Sequence, residues 1–250
     1  MINLDNIVNE HIEPLGKSMK IMVSNIHHFT TDTILLADFS SPRNNDKCVD
    51  LGSGCGTIPF LWARDNKCLS IHAVEIQQDA CDLIHKSISM NQLEDKIKVI
   101  NSNLKELKGK IEFGGFNLVV CNPPYKKLGS GIQSSHQGEI IARHEKECTI
   151  YDIACVASKL LNFKGRFCLC LRPERLCDVI DAMRLADLEP KRLRFVHHRE
   201  NKEPKLFLIE GRKGGNPGLR VMSPLFIENI DGSISNEMRK IYGEYGENKR

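Results

Sequence analysis

The chain has 250 residues, 41% of them hydrophobic, which is enough apolar material to bury one sizeable core. Its formal net charge is only +3, so composition alone does not identify a nucleic-acid-binding protein. No apolar run is long enough to span a bilayer, and the N-terminal stretch MINLDNIVNEHIEPLG lacks the charged start and apolar run of a secretion signal. We therefore expect a cytoplasmic protein with no membrane partner.

Strands and helices alternate along most of the chain, as the spacing of the apolar residues predicts. The predicted helices are 33–39, 57–64, 77–90, 149–161 and 173–186. The predicted strands are 47–51, 69–75, 96–100, 116–121, 165–171, 191–196 and 205–210. This order indicates an α/β fold with a mostly parallel sheet between helices, and the last two strands are close enough to form an antiparallel hairpin.

Two polar segments fall outside this alternation. Residues 126–146 carry several glycines and predict a mobile loop, and residues 229–250 predict a loosely ordered tail. The ten cysteines form no C-x-x-C pair, and most lie in apolar surroundings such as LVVCN and RFCLCL. Zinc sites need clustered ligands at short spacing, so we expect reduced thiols and no metal.

A glycine-rich turn, DLGSGCG at 50–56, follows the first strand of the alternating region. Glycines allow a sharp turn and a close approach of ligand to backbone, and the next helix offers free N–H groups to an anion. A dinucleotide motif G-x-G-x-x-G would need its third glycine at Thr57, and no G-K-[ST] sequence is present. The pattern instead resembles the first motif of class I methyltransferases, where this turn holds S-adenosylmethionine. The resemblance implies cofactor contacts at Asp50, Gly52, Gly54 and Gly56.

The ends of the next two strands extend the resemblance. Glu75 ends the second strand of the alternating region, where the family carries an acid for both ribose hydroxyls, and a carboxylate can accept both hydrogens. Asn103 follows the third, where family members often have Asp against the adenine amino group. Its amide oxygen can accept the same hydrogen bond. Asn101 lies only two residues away, and asparagine is also common in turns.

The sequence Asn122-Pro123-Pro124-Tyr125 leaves the apolar strand FNLVVC. Its two prolines stiffen the carboxyl end of that strand, the edge where ligands bind in such sheets. An aromatic exocyclic amine is a poor nucleophile, and two acceptors, the Asn122 side-chain oxygen and the Pro123 carbonyl, can orient its lone pair. Tyr125 can stack on the ring that carries the amine. N-P-P-Y resembles the fourth motif of amino-methyltransferases, which act on adenine N6, guanine N2 or a release-factor glutamine.

Segments across residues 9–228 resemble one bacterial family, the tRNA1(Val) (adenine-37-N6)-methyltransferases. They are the pattern F-x-x-D-x-x-L-L-A-x-F at 29–39, IARHE at 141–145, LRPERL at 171–176 and the ending KRLRFVHHRENKEPKLFLIEGRKGG. The resemblance implies a Rossmann-like class I fold with a seven-stranded, mostly parallel sheet, S-adenosylmethionine as cofactor and tRNA as partner. We interpret residues 1–250 as a single methyltransferase domain, a monomer, with an N-terminal lid segment (1–46), a catalytic core (47–213) and a C-terminal extension (214–250).

Basic residues are concentrated between 191 and 213 and beside the N-P-P-Y motif, which suits contacts to RNA phosphates. The residues that we predict to contact RNA are Lys126, Arg143, Arg192, Arg194 and Arg199. A solvated, charged hairpin is the alternative interpretation of the 191–213 stretch.

Three other functions are compatible with these motifs. Glutamine methylation of a release factor uses the same chemistry, although such enzymes usually carry an added N-terminal helical domain that residues 1–46 are too few to form. DNA adenine methylation usually needs a sizeable target-recognition domain. A non-catalytic adaptor that kept the fold is the third alternative, and the intact N-P-P-Y motif argues against it.

Overall fold

The computed structural model describes residues 9–65, 68–123 and 148–243. Within them, a two-stranded hairpin precedes a mixed sheet of nine strands. The strands are β1 Glu10–Gly16, β2 Met19–Ser24, β3 Asp46–Leu51, β4 Cys68–Glu75, β5 Ile97–Asn101, β6 Phe116–Cys121, β7 Leu161–Leu171, β8 Leu188–His197, β9 Pro204–Lys213, β10 Arg220–Val221 and β11 Leu225–Phe226. The helices are α1 Thr31–Ser40, α2 Thr57–Arg64, α3 Gln78–Asn91, α4 Ile150–Leu160, α5 Leu176–Leu185 and α6 Asn236–Tyr242.

The seven long strands lie in the order β8-β9-β7-β6-β3-β4-β5. Strand β9 is antiparallel to both of its neighbours, whereas the pairs from β7 to β5 are parallel. This arrangement confirms the predicted fold class, with a C-terminal antiparallel hairpin. The two-residue strands β10 and β11 add to it by pairing with β8 in parallel.

The central strands are buried on both faces. Neighbouring residues along a strand point to opposite sides of the sheet, so each strand contributes side chains to two separate clusters. Cys48 and Leu118 face a cluster that includes α1, α2 and α3, while Val49 and Val119 face a cluster that includes α4 and α5. All four of these side chains are fully buried. A continuous apolar run such as FNLVVC is therefore the sequence of a strand covered by helices on both sides.

Local chemistry sets where several helices begin. Helix α4 starts with a capping box, in which Thr149 Oγ1 accepts from Asp152 N and Thr149 N donates to Asp152 Oδ2. The stretch predicted as one helix over 173–186 begins with a short 3₁₀ turn, Pro173–Arg175, before α5. Proline is tolerated there because the first turn of a helix has no internal partner for its N–H.

Two terminal segments contain regular structure that the sequence did not predict. Residues 10–24 form the β1–β2 hairpin, which docks on α3 where Met22 N donates to Ser87 Oγ at 2.8 Å. The tail was predicted to be loosely ordered over 229–250, and this is wrong for 236–242, which form α6. That helix starts at Ser235, whose hydroxyl accepts from Met238 N, and the Met238 side chain is fully buried. One buried methionine in a polar segment is too weak a pattern to predict a helix.

Candidate active site

The glycine turn after β3 is held by the end of β4. Gly52 N and Ser53 N both donate to Val74 O, at 2.9 and 3.0 Å. Gly52, Gly54 and Gly56 all have positive φ angles, between 55° and 89°. A Cβ on Gly52 or Gly54 would meet no atom within 4 Å, whereas one on Gly56 would lie 3.0 Å from Ile84 and Phe60 side-chain carbons. The first two glycines thus present bare backbone to open space, and the third allows α2 to pack closely.

Glu75 closes the turn from the neighbouring strand. Its carboxylate is buried and accepts from Gly54 N at 2.8 Å and from Ile76 N and Gln77 N at 2.9 Å each. A carboxylate offers about four acceptor positions, so three backbone donors leave capacity for a ligand hydroxyl. The geometry fixes this acid at the mouth of the turn, where the sequence predicted it.

Asp50 is almost completely buried beneath the same turn, at 2% exposure. The pKa of Asp50 is raised to about 7, mainly by burial; a hydrogen bond from Ser53 opposes the rise and the charge of nearby Glu75 adds to it. Burial makes the charged form of this carboxyl unfavourable. A cation bound nearby would favour that charged form, so the site favours a positively charged ligand.

A small cavity, about 70 Å³, lies beside Glu75 at the ends of β3, β4 and β5. Asn103 lines it together with Leu104 and Cys148. The Asn103 side-chain oxygen accepts from Lys105 N at 3.0 Å and so caps the short turn that follows β5. Asn101 instead donates to Glu75 O and Ile76 O, each at 3.3 Å. Sequence reasoning missed Cys148, because the chain brings it back to this cavity from 45 residues beyond Asn103.

Asn122 stands at the carboxyl end of β6, directly beside the glycine turn. In the parallel pairing of β3 with β6, Leu51 lies opposite Cys121, so both segments leave the sheet at the same level. Asn122 Nδ2 donates to Thr33 Oγ1 of α1 at 3.1 Å, and Pro123 is buried. The sequence predicted a helix around Thr33 but gave no signal for this contact. Pro124, Tyr125, Lys126 and Arg143 lie outside the described residues.

Arg192 belongs to a buried ionic cluster. Its Nη2 donates to Glu210 Oε2 at 2.7 Å and to Phe39 O at 3.1 Å, and its guanidinium lies 4.6 Å from the centre of the Phe39 ring. Arg166, which is itself buried, donates to the Asp46 carboxylate at 3.2 Å and reaches Glu210 at 3.5 Å. These contacts join the end of α1 to the sheet.

Arg194 and Arg199 are paired with acids from the C-terminal extension. Arg194 donates to both oxygens of Glu237 at 2.8 Å, and Arg199 donates twice to Glu228 Oε2, at 2.8 and 2.6 Å. All three predicted RNA-contacting arginines that the structure describes therefore have intramolecular acidic partners. Their contact with RNA stays a prediction, and a phosphate would have to compete with these carboxylates.

Residues 27–165, more than half of the chain, match the family model of the methyltransferase small domain. The chain belongs to the methyltransferase small domain family. This methyltransferase is also similar to curated relatives named tRNA1(Val) (adenine(37)-N6)-methyltransferase. The relative from Porphyromonas gingivalis is 29% identical over 191 residues, 73% of each chain. The one from Parabacteroides distasonis is 28% identical over 180 residues, 72% of this chain and 74% of the relative. The family resemblance drawn from the sequence is thus confirmed.

Solved structures show the same fold at low sequence identity. A predicted O-methyltransferase from Agrobacterium tumefaciens superposes with a TM-score of 0.67 and 17% identity, covering 85% of this methyltransferase and 95% of that chain. A geranyl diphosphate C-methyltransferase from Streptomyces coelicolor, solved with S-adenosyl-L-homocysteine, superposes with a TM-score of 0.52 and 11% identity, covering 72% and 74%. At such identities the likeness concerns the fold alone.

Membrane spans and metal clusters are both absent from the described ranges. No helix among these residues is long and apolar enough to cross a membrane. Within the same ranges, no group of three or more His, Cys, Asp or Glu side chains is placed to hold a metal ion. The ten cysteines are free thiols in this methyltransferase, and seven of them are buried.

Proposed function

We propose that this methyltransferase uses S-adenosylmethionine to methylate the N6 amine of an adenine in RNA, with adenine 37 in the anticodon loop of tRNA(Val) as its substrate. The relatives from Porphyromonas gingivalis and Parabacteroides distasonis carry that activity in their names. The observation that carries the chemistry is the position of Asn122, level with the glycine turn on the neighbouring strand.

The residues around the turn fit S-adenosylmethionine. Gly52 and Gly54 leave open space where any side chain would stand, so the ligand can approach the backbone closely. Glu75 has one acceptor position left for a ribose hydroxyl, and the cavity beside Asn103, on the same edge of the sheet, would take the adenine. The buried carboxyl of Asp50 favours a cationic ligand, and S-adenosylmethionine is a sulfonium cation.

The cofactor supplies an electrophilic methyl group, and the protein has to present the amine. Asn122 Oδ1 and the Pro123 carbonyl would accept the two N–H hydrogens of the amine. These two contacts turn the nitrogen lone pair toward the methyl group and stabilise the positive charge that develops on nitrogen. Once the methyl has transferred, the extra proton is acidic, so no strong general base is required.

The substrate assignment rests on the relatives' names and on the chemistry of loops. An adenine in an RNA loop is cheaper to unstack than one in a duplex, which suits a site that must receive a planar amine. Lys126, Arg143, Arg192, Arg194 and Arg199 remain the residues proposed to meet the RNA, and their contribution should fall with salt.

The experiment is transfer of labelled methyl groups from S-adenosylmethionine to unmodified tRNA transcripts. We expect label in tRNA(Val) as N6-methyladenosine, and its loss when adenine 37 is replaced by guanine. Label that persists in the guanine variant would contradict the assigned position. Label in a release factor, with none in tRNA, would instead assign the protein to the glutamine-methylating enzymes.

A further inference from the structure

The side-chain amide of Asn122 has two chemically opposite ends. If its carbonyl oxygen faces an amine, it accepts a hydrogen and orients the lone pair. If the amide is rotated by 180°, its NH2 group faces the amine instead, and two donors then oppose each other. The proposed chemistry therefore requires a contact that distinguishes these two orientations.

Thr33 contacts the nitrogen end of this amide, and its hydroxyl selects that orientation when its own hydrogen is directed away from the amide. Asn122 Nδ2 donates to Thr33 Oγ1 at 3.1 Å, although the two residues are 89 positions apart in the chain. With the nitrogen directed at Thr33, the carbonyl oxygen is the end of the amide that can accept from an amine. The contact joins the N-terminal segment to the catalytic edge of the sheet.

Helix α1 holds Thr33 on a rigid support. Leu35 and Leu36, which follow Thr33 in that helix, are buried at 1% and 0% exposure. Trp62 Nε1 of α2 donates to Ala37 O at 3.3 Å, and the hydroxyls of Thr31 and Tyr242 lie 3.2 Å apart. Side chains that orient a reactive group are effective when their own backbone is fixed by packing of this kind.

We propose that Thr33 is a positioning residue, which fixes the side-chain amide of Asn122 with its oxygen toward the acceptor amine. This inference rests on the proposed function, because it concerns the same amine site. The N-terminal segment, which the sequence predicted as a lid, would then also take part in turnover. Thr33 acts through Asn122 and needs no contact with the reacting atoms.

The test compares Thr33→Val, which keeps the shape of threonine without an acceptor, with Thr33→Ser, which keeps the hydroxyl. For Thr33→Val we expect kcat on tRNA(Val) transcript to fall about tenfold, less than the loss of about 10²–10³ expected when a direct contact is removed. Affinity for S-adenosylmethionine and the melting temperature should stay near the wild-type values. Thr33→Ser should recover most of kcat. A Thr33→Val enzyme with wild-type kcat would overturn the inference.

A double-mutant cycle separates positioning from general support of the fold. In an Asn122→Ala background, Thr33→Val should change kcat by less than about twofold, because the group that it orients is gone. A full further loss in that background would show that Thr33 acts by another route and would overturn the proposal.

A readout without turnover distinguishes this inference from the substrate assignment. In ¹⁵N NMR spectra of the full chain, the side-chain amide signals of Asn122 are identified by their loss in Asn122→Ala. We expect Thr33→Val to shift them and Thr33→Ser to leave them near their original positions. If they shift as expected but no tRNA is methylated, the proposed substrate is wrong and the contact stands. If Thr33→Val leaves them in place, the contact itself is wrong.

Discussion

Arg194 of β8 is joined to Glu237 of α6 by two parallel hydrogen bonds of 2.8 Å, one to each carboxylate oxygen. The arginine side chain is only 14% exposed, and its Nε also donates to Ser223 O at 3.0 Å. A planar guanidinium that meets a carboxylate in this way gains orientation as well as charge attraction. The pair fastens the last helix against the sheet, and α6 in turn reaches the start of α1 through Tyr242.

We expect Arg194→Glu to weaken this attachment and Glu237→Arg, added to it, to restore it. The Glu237 side chain is 47% exposed, so solvent screening limits the pair to about 1 kcal/mol of stability. Melting temperatures of the single and double variants measure this effect. If Arg194 serves only as a clamp, the KM for tRNA should rise in Arg194→Glu and return to the wild-type value in the double variant. A KM that stays high in a double variant of restored stability would show direct contact of Arg194 with RNA.

The open space around Gly54 makes it a selective target. Gly54→Arg should abolish S-adenosylmethionine binding, measured by calorimetry, because the side chain would fill the space that the ligand needs. Gly114→Arg is the matched control, since Gly114 also has positive φ and a Cβ added there would meet nothing within 4 Å. It lies two residues before β6, at the opposite edge of the sheet from the glycine turn. Both variants carry a similar backbone strain of about 1–2 kcal/mol. Unchanged affinity in Gly54→Arg would contradict the cofactor site.

Asn122→Ala separates binding from chemistry. It removes one acceptor of the amine without touching the glycine turn, so kcat should fall by about 10²–10³ while cofactor affinity stays within a few-fold. Asn117→Ala is the control on the same strand, because Asn117 Oδ1 accepts from Lys47 N at the far end of β6. Its loss should affect stability rather than turnover. Wild-type turnover in Asn122→Ala would remove Asn122 from the mechanism.

The sequence predicted the central strands and the glycine turn, because these depend on local patterns. A buried parallel strand is a continuous apolar run, and a turn with positive φ angles needs glycine. Contacts between distant segments leave no such pattern. Nothing near Thr33 indicates that it meets Asn122, and nothing near Arg194 indicates that Glu237 covers it. A cluster of arginines has the same appearance in a sequence whether phosphates or the chain's own carboxylates are their partners.

The raised pKa of Asp50 makes the free energy of unfolding depend on pH. Burial raises its pKa from 3.8 to about 7 in the folded protein. The folded state therefore binds a proton on Asp50 more tightly than the unfolded chain does. The stability that this proton contributes is complete below about pH 4 and is lost as pH rises through about 7.

Asp50→Asn removes this dependence. Relative to wild type, the variant should gain free energy of unfolding between about pH 5 and pH 8, on the order of a few kcal/mol. Denaturant unfolding at both pH values, without ligand, measures the difference. A constant difference between the two proteins across this range would show that Asp50 titrates as it does in the unfolded chain.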